Sequence, residues 1–348
     1  MSRMSKTKVL IVGGGGVGTM AAYALQSGGN AEVHVVLRSN FDTVKSRGFD
    51  IDSLQHGAGI KGFRPHAVFD RVPQTAAGEG RPYDYVIVAT KNVPDNKPTV
   101  VELITPAVTP GITAILLLQN GLNIQQPVIS QFPKNVVLSG VSLIGATETS
   151  HGVVRHDDSD DSKIGCFPES ASLVSQAVAE TSARRLIEVY NACGKVEWVY
   201  DEDVPFTRWR KLLYNSSFNS VAAVTGMDTA RMRKAESPID DLILPIMREI
   251  KAIAGAAGVH LPEGVEEKIV RIDPTDTAFI PSMGQDALKG NLMEIEPIVG
   301  EPVREATRLG VPTPVLTTLY RVLKIKQLQA KEQRGLWTAD FPQGARYN

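Results

Sequence analysis

Short, continuous apolar runs alternate with amphipathic stretches over the first two hundred residues of the chain. Val9–Val12 is an unbroken aliphatic run, the pattern of a strand buried on both faces, and Thr19–Ser27 carries helical spacing directly after it. Glu32–Leu37 predicts the next strand, and Tyr85–Ala89 and Ile112–Leu118 two further buried ones. Pro94 and Pro98 break the chain before a helical stretch starting near Thr99, and Val136–Ile144, Val153–His156 and Lys163–Cys166 predict shorter strands that close this half. Strand–helix–strand repetition with buried strands predicts an α/β fold built on a doubly wound parallel sheet. From about Asp201 the period changes. Apolar residues now fall three and four apart, as at Leu242, Ile243, Ile246, Ile250 and Ile253, with turn signals at Gly258, Pro262, Gly290, Gly310 and Pro312. The pattern therefore predicts a dinucleotide-binding-type domain over residues 1–200 and an all-helical domain over 201–348, whose last stretch from Lys331 is a polar tail at the surface.

Composition narrows the partners. The 348 residues suit about two domains at roughly 150 residues each, and 43% hydrophobic with 22% charged residues supplies packed cores. Lys and Arg total 37 against 38 for Asp and Glu, a net charge of −1 that carries no basic field for nucleic acid or an anionic membrane. Ile112–Leu118 falls far short of the ~20 apolar residues of a spanning helix, and Val9–Val12 is too short for a signal segment. Cys166 and Cys193 do not make a disulfide framework, so a reducing, cytoplasmic setting is expected. No metal is expected: the histidines lack zinc spacing, and Asp157, Asp158, Asp160 and Asp161 lack the calcium-loop pattern and read as a solvated turn. No Gly-x-Ser-x-Gly elbow occurs for a nucleophilic serine.

Gly13-x-Gly15-x-x-Gly18 follows the first strand and opens the first helix, with Gly14, Gly16 and Val17 between. In that context Gly13 serves a tight turn, Gly15 lets backbone approach a pyrophosphate, and Gly18 lets helix and strand pack closely. The helix N-terminus offers free N–H groups to the anion. At the end of the second strand, 20 residues beyond Gly18, stands Arg38 instead of a carboxylate. A guanidinium pairs with a 2′-phosphate, which favours NADP(H) as the cofactor.

Lys211, Asn215 and Asn219 recur every fourth residue and so line one face of a predicted helix. Asparagine is a poor helix former, and two of them stacked on a lysine suggest either a polar solvent face or a site. A second segment, Pro281 to Glu296, carries Ser282 at the start of a short helix and Glu294 before the next. Lys91 and the turn Gln119-Asn120-Gly121 sit after predicted parallel strands, at the edge where such sheets bind ligands.

Taken together, the glycine loop, Lys91, Gln119-Asn120-Gly121, the Lys-x3-Asn-x3-Asn helix and the Ser-Met-x-Gln-Asp-x7-Glu-Ile segment resemble the ketopantoate reductase (2-dehydropantoate 2-reductase) family over nearly the whole chain. The resemblance implies a Rossmann-type N-terminal domain and a helical C-terminal domain. It implies NADPH-dependent reduction of ketopantoate to pantoate, on the way to pantothenate. Lys211 would be the proton donor, Glu294 a carboxylate serving that lysine and the cofactor ribose region, and Lys211, Asn215, Asn219 and Ser282 the substrate-binding set. Asn120 and Ala146 would be cofactor contacts. Ten residues beyond Asn219, where the family often has a further substrate-binding Asn, this chain has Thr229. Another 2-keto acid or a ketolactone therefore stays open as substrate, as does a non-catalytic NADP(H)-binding sensor; a homodimer is a further expectation. The residue types suit the chemistry, because an ammonium can stabilise a nascent alkoxide and protonate it. Burial would lower the lysine pKa and Glu294 would raise it.

Overall fold

The computed structural model describes residues 6–75, 80–168 and 172–339. The chain divides between Thr207 and Arg208 into two compact units. The first contains β1 (Thr7–Val12), α1 (Gly16–Ser27), β2 (Ala31–Val36), α2 (Phe41–Arg47), β3 (Phe49–Ser53), β4 (Gly57–Phe63), β5 (Ala67–Phe69), β6 (Tyr85–Val88), α3 (Val100–Ile104), β7 (Ala114–Leu117), α4 (Gln126–Gln131), β8 (Val137–Val141), β9 (Gly145–Ser150), β10 (Val153–Asp158), β11 (Lys163–Cys166), α5 (Gln176–Asn191) and β12 (Val199–Asp201).

Eight strands form one sheet in the order β12-β11-β8-β7-β6-β1-β2-β5. Pairing is parallel from β8 to β5, while β11 runs antiparallel to β8. Continuous apolar runs form these strands because both faces are covered. Val9, Ile11, Ile87 and Leu116 pack with Met20 and Leu25 of α1 and Leu186 of α5; Leu10, Val12, Val86, Ile115 and Leu117 pack on the opposite face with Ile104 of α3 and Val128 of α4. The helix expected near Thr99 starts there, with Thr99 and Glu102 closing a capping box. β12 pairs with β11 and carries the first unit past residue 200.

The strand expected at Val153–His156 forms as β10, but outside this sheet. β10 lies in a second sheet, ordered β4-β3-β10-β9, together with three strands the pattern does not reveal. Phe49, Ile51 and Val154 face the same core as α1, so that helix packs between two sheets. Its small residues fit that position. A Cβ on Gly16 would lie 2.1 Å from the Ala146 carbonyl oxygen of β9, and one on Gly18 would lie 1.9 Å from the Gly13 carbonyl oxygen. Asp160 also departs from the expected solvated turn. It is buried and accepts from Ser162 Oγ (2.7 Å), Tyr190 Oη (2.6 Å) and Trp198 Nε1 (3.0 Å).

The second unit has helices and no strand among its described residues. α6 (Val204–Tyr214) spans the division and passes through a π-helical turn, Asn215–Asn219, into α7 (Ser220–Thr225). Then come α8 (Thr229–Lys234), a second π turn at Ile239–Ile243, α9 (Leu244–Ala256), α10 (Val265–Val270), α11 (Ser282–Leu288), a third π turn at Glu296–Gly300, α12 (Glu301–Leu309) and α13 (Pro314–Gln333). Of the stripe visible in the sequence, Ile243, Ile246, Ile250 and Ile253 are fully buried and Leu242 is half-buried. α13 takes in the start of the expected polar tail, and residues 340–348 of that tail lie outside the described residues. Among the described residues no helix is long and apolar enough to cross a membrane, and no three His, Cys, Asp or Glu side chains are grouped to hold a metal ion.

Candidate active site

In the first unit, the expected cofactor residues other than Ala146, which lies on β9 of the second sheet, fall along the carboxyl edge of the parallel sheet. Asn120 follows β7, Lys91 follows β6, the glycine loop follows β1 and Arg38 follows β2, and these four strands are consecutive neighbours in the sheet. β1 connects onward to β2 on one side while β6 lies on the other, so the loop sits at the point where strand order reverses. Gln119 ties the β6 and β7 ends together, its Nε2 donating to the Thr90 carbonyl at 2.8 Å.

The glycines have separate jobs. Gly13 turns with φ +106°, and a Cβ there would press on Thr90 at 2.9 Å; a Cβ on Gly14 would meet Leu37 Cδ2 at 2.0 Å. Only at Gly15 among the loop glycines does a Cβ find nothing within 4 Å. Gly15 is also the N-cap of α1 and offers no side-chain cap, leaving the first-turn amides to an outside acceptor. An open cradle of amide donors fits a pyrophosphate. Arg38 is exposed and makes no ion pair among the described residues. Ala146 touches the loop itself through its carbonyl against Gly16.

Asn40 was not apparent from the sequence. It is buried, and its Nδ2 donates to the Gly14 carbonyl at 2.9 Å and to Glu148 Oε1 at 2.7 Å. One amide thus joins the turn bearing Arg38, the glycine loop and the second sheet.

In the second unit, Lys211 lies in the last turn of α6 and the two asparagines bound the π turn. The three form a polar row, but not on a regular α-helix. The wider turn opens backbone carbonyls, and hydroxyls fill them: Ser217 Oγ donates to the Leu213 carbonyl (2.5 Å) and Ser220 Oγ to that of Asn215 (3.0 Å), while Ser216 Oγ reaches across to the Ile298 carbonyl of the third π turn (2.7 Å). The serines of Asn215-Ser216-Ser217-Phe218-Asn219-Ser220 thereby hold the turn.

Asn219 is 1% exposed and connects the row to α11. Its Nδ2 lies 3.5 Å from Asn215 Oδ1 and 3.1 Å from Ser282 Oγ, and its Oδ1 accepts the Met283 amide at 2.5 Å. α11 comes this close because Gly284 rides on α7, where a Cβ would stand 3.0 Å from Ala222 Cβ. Ser282 itself stays exposed. The structure therefore brings Asn215, Asn219 and Ser282 together.

Burial of the Lys211 ammonium pushes its pKa down to about 8; the nearby Arg208 guanidinium acts the same way, and Glu294 opposes both. Burial is the larger influence, a point the sequence leaves open. Arg208, three residues before Lys211 on α6, is a charged neighbour outside the motifs singled out in the sequence. Glu294 is buried, on the segment between α11 and the third π turn. Thr229 is also buried, its Oγ1 3.4 Å from the Phe279 carbonyl and its amide donating to that oxygen at 3.0 Å. It anchors the segment leading to α11.

Two family models match the chain, described as "Ketopantoate reductase PanE/ApbA" over residues 9–169 and "Ketopantoate reductase PanE/ApbA C terminal" over 203–327. The uncharacterized protein YDL144C of Saccharomyces cerevisiae is 34% identical, over 96% of this chain and 97% of its own. The chain belongs to the ketopantoate reductase family. A 2-dehydropantoate 2-reductase of Nostoc sp. is 23% identical over 97% of this chain and 100% of its own. The crystal structure of 2-dehydropantoate 2-reductase from Methylococcus capsulatus superposes with a TM-score of 0.77 at 30% identity, covering 93% of this chain and 97% of that one. A parallel-sheet N-terminal domain with a helical C-terminal domain is the family's architecture, and family membership implies an oxidoreductase of this type.

Proposed function

We propose that this protein reduces a 2-keto acid, ketopantoate in the first instance, to the 2-hydroxy acid with NADPH, and that Lys211 is the proton donor. The observation that carries the reading is the Asn215–Asn219–Ser282 cluster one helical turn beyond Lys211, a lysine whose burial lowers its pKa to about 8 while the buried Glu294 acts in the opposite direction. At neutral pH such a lysine is about nine-tenths protonated, yet gives up its proton more readily than an exposed one.

Gly13–Gly18, with Gly15 facing the pyrophosphate, would hold the dinucleotide, Arg38 its 2′-phosphate, and Lys91, Asn120, Ala146 and Glu294 its remaining groups. When bound, the nicotinamide supplies the hydride. Lys211 carries a proton at Nζ, stabilises negative charge on the carbonyl oxygen of the substrate, and transfers the proton to it. The Asn215 and Asn219 amides and the Ser282 hydroxyl bind the substrate carboxylate and hydroxyl, fixing its orientation. Pantoate so formed would enter pantothenate synthesis.

Thr229 supports a second reading, a different 2-keto acid as substrate. A threonine has no side-chain amide to offer a ligand, and this one is buried with its hydroxyl turned to the Phe279 carbonyl. A panel of 2-keto acids assayed with NADPH and NADH tests both. Ketopantoate with NADPH should be consumed fastest; a better substrate elsewhere in the panel selects the second reading. Nucleotide binding without turnover of any keto acid would reject both in favour of a sensor.

A further inference from the structure

Gln327 lies on α13 and is 3% exposed. Both ends of its amide are spent on one residue. Its Oε1 accepts from the Met293 N–H at 3.0 Å, and its Nε2 donates to the Met293 carbonyl at 3.1 Å. This side chain reproduces the two-bond exchange of facing residues in an antiparallel ladder. Residues 291–294 are in no helix, so their main-chain groups need partners from elsewhere. Just past the end of α13, Arg334 Nη1 reaches the Gly290 carbonyl (3.2 Å) and Asn291 Oδ1 (3.1 Å). On the other side of Met293, the Glu294 carbonyl accepts from the Ile298 amide at 3.3 Å, entering the third π turn. Glu294 is thus gripped between a side-chain clamp and a helix start.

We propose that Gln327 is a positioning residue for the reaction: by clamping the Met293 main chain, it fixes the Glu294 carboxylate relative to Lys211. The proposal rests on the reading of Lys211 as proton donor. Arg208 and Glu294 both act on Lys211, and Glu294 favours its protonated form. Releasing Met293 lets that carboxylate drift, and Lys211 should then lose its proton at lower pH. A purely structural clamp would lower stability and leave the lysine titration alone.

The test measures cyanate carbamylation of Lys211 against pH in the nucleotide-free protein, read by peptide mass spectrometry. Wild type should show half-protonation near pH 8. Gln327→Met, similar in size and unable to pair, should lower that midpoint by about 0.5–1 in pH. Glu294→Gln should lower it at least as far, and the double variant no further than Glu294→Gln alone, because both changes remove one influence. A Gln327→Met midpoint equal to wild type, or a double-variant shift equal to the sum of the single ones, would overturn the proposal. If Gln327→Met does not fold, Gln327→Asn, whose amide is one methylene too short to pair with both Met293 groups, takes its place with a shift in the same direction expected. These midpoints together with a wild-type protein that turns over no 2-keto acid would sink the reductase reading and leave the clamp standing.

Discussion

At Arg38 and Asn40, two residues apart, the same turn does different work. Arg38 is exposed at the end of β2, while Asn40 is buried and bonded to Gly14 and Glu148. Arg38→Ala should raise the NADPH KM about 10–100-fold, the worth of a charge-assisted phosphate contact, and leave the NADH KM within about twofold. Steady-state kinetics with both nucleotides check this, and equal effects would remove Arg38 from the 2′-phosphate site. Asn40→Leu should weaken both nucleotides alike and cost about 1–3 kcal/mol of stability, measured by denaturant unfolding, because the Gly14 carbonyl and Glu148 lose a donor. Arg38 was legible because its distance from the glycine loop is fixed by one helix and one strand. Asn40 was not, because its partners lie 26 and 108 residues away along the chain. Thr229 was visible as a departure from the family pattern, but its bond to the Phe279 carbonyl depends on a contact 50 residues distant.

The first helix shows how one element serves two surfaces. Its N-terminus opens toward an anion at Gly15, while Gly16 and Gly18 admit β9 and the glycine-loop backbone. Gly15→Ala should therefore fold normally and weaken nucleotide binding, whereas Gly18→Ala, whose Cβ would lie 1.9 Å from the Gly13 carbonyl oxygen, should lower stability by several kcal/mol. Thermal melts with nucleotide titrations separate the two, and equal stability loss in both would contradict the assignment. The sequence marked this helix and the buried strands around it because their apolar runs are continuous. It did not reveal the second sheet: β4 reads Gly-Ala-Gly-Ile-Lys-Gly-Phe with mostly exposed positions, and β3 buries only alternate residues. The π turn at Asn215–Asn219 was equally hidden, since four-residue spacing reads as one α-helical face. The hydroxyl-rich run beside it was the available signal, because those groups can satisfy the carbonyls that a widened turn exposes.

At the scale of the whole chain, the balanced charge carries no nucleic-acid-type field, and the ample hydrophobic content suits the two compact units into which the chain divides. If the loop of the first unit holds NADPH, ligand at 100 times its Kd should stabilise the folded protein by about 2.7 kcal/mol, visible as a rise of several degrees in Tm. The same concentration of NADH should give less. The chemistry assigned to the second unit has a sharper signature. A donor must be protonated to act, and Lys211 has its pKa lowered to about 8 while Glu294 holds it from falling further. The pH dependence of kcat for 2-keto acid reduction is the most direct measurement. The rate should fall with one-proton dependence as pH rises through about 8, the fall should begin at lower pH in Glu294→Gln, and Lys211→Ala should lose about 10²–10⁴-fold with nucleotide binding intact. A limb at the same pH in wild type and Glu294→Gln, or near-normal turnover by Lys211→Ala, would contradict the account.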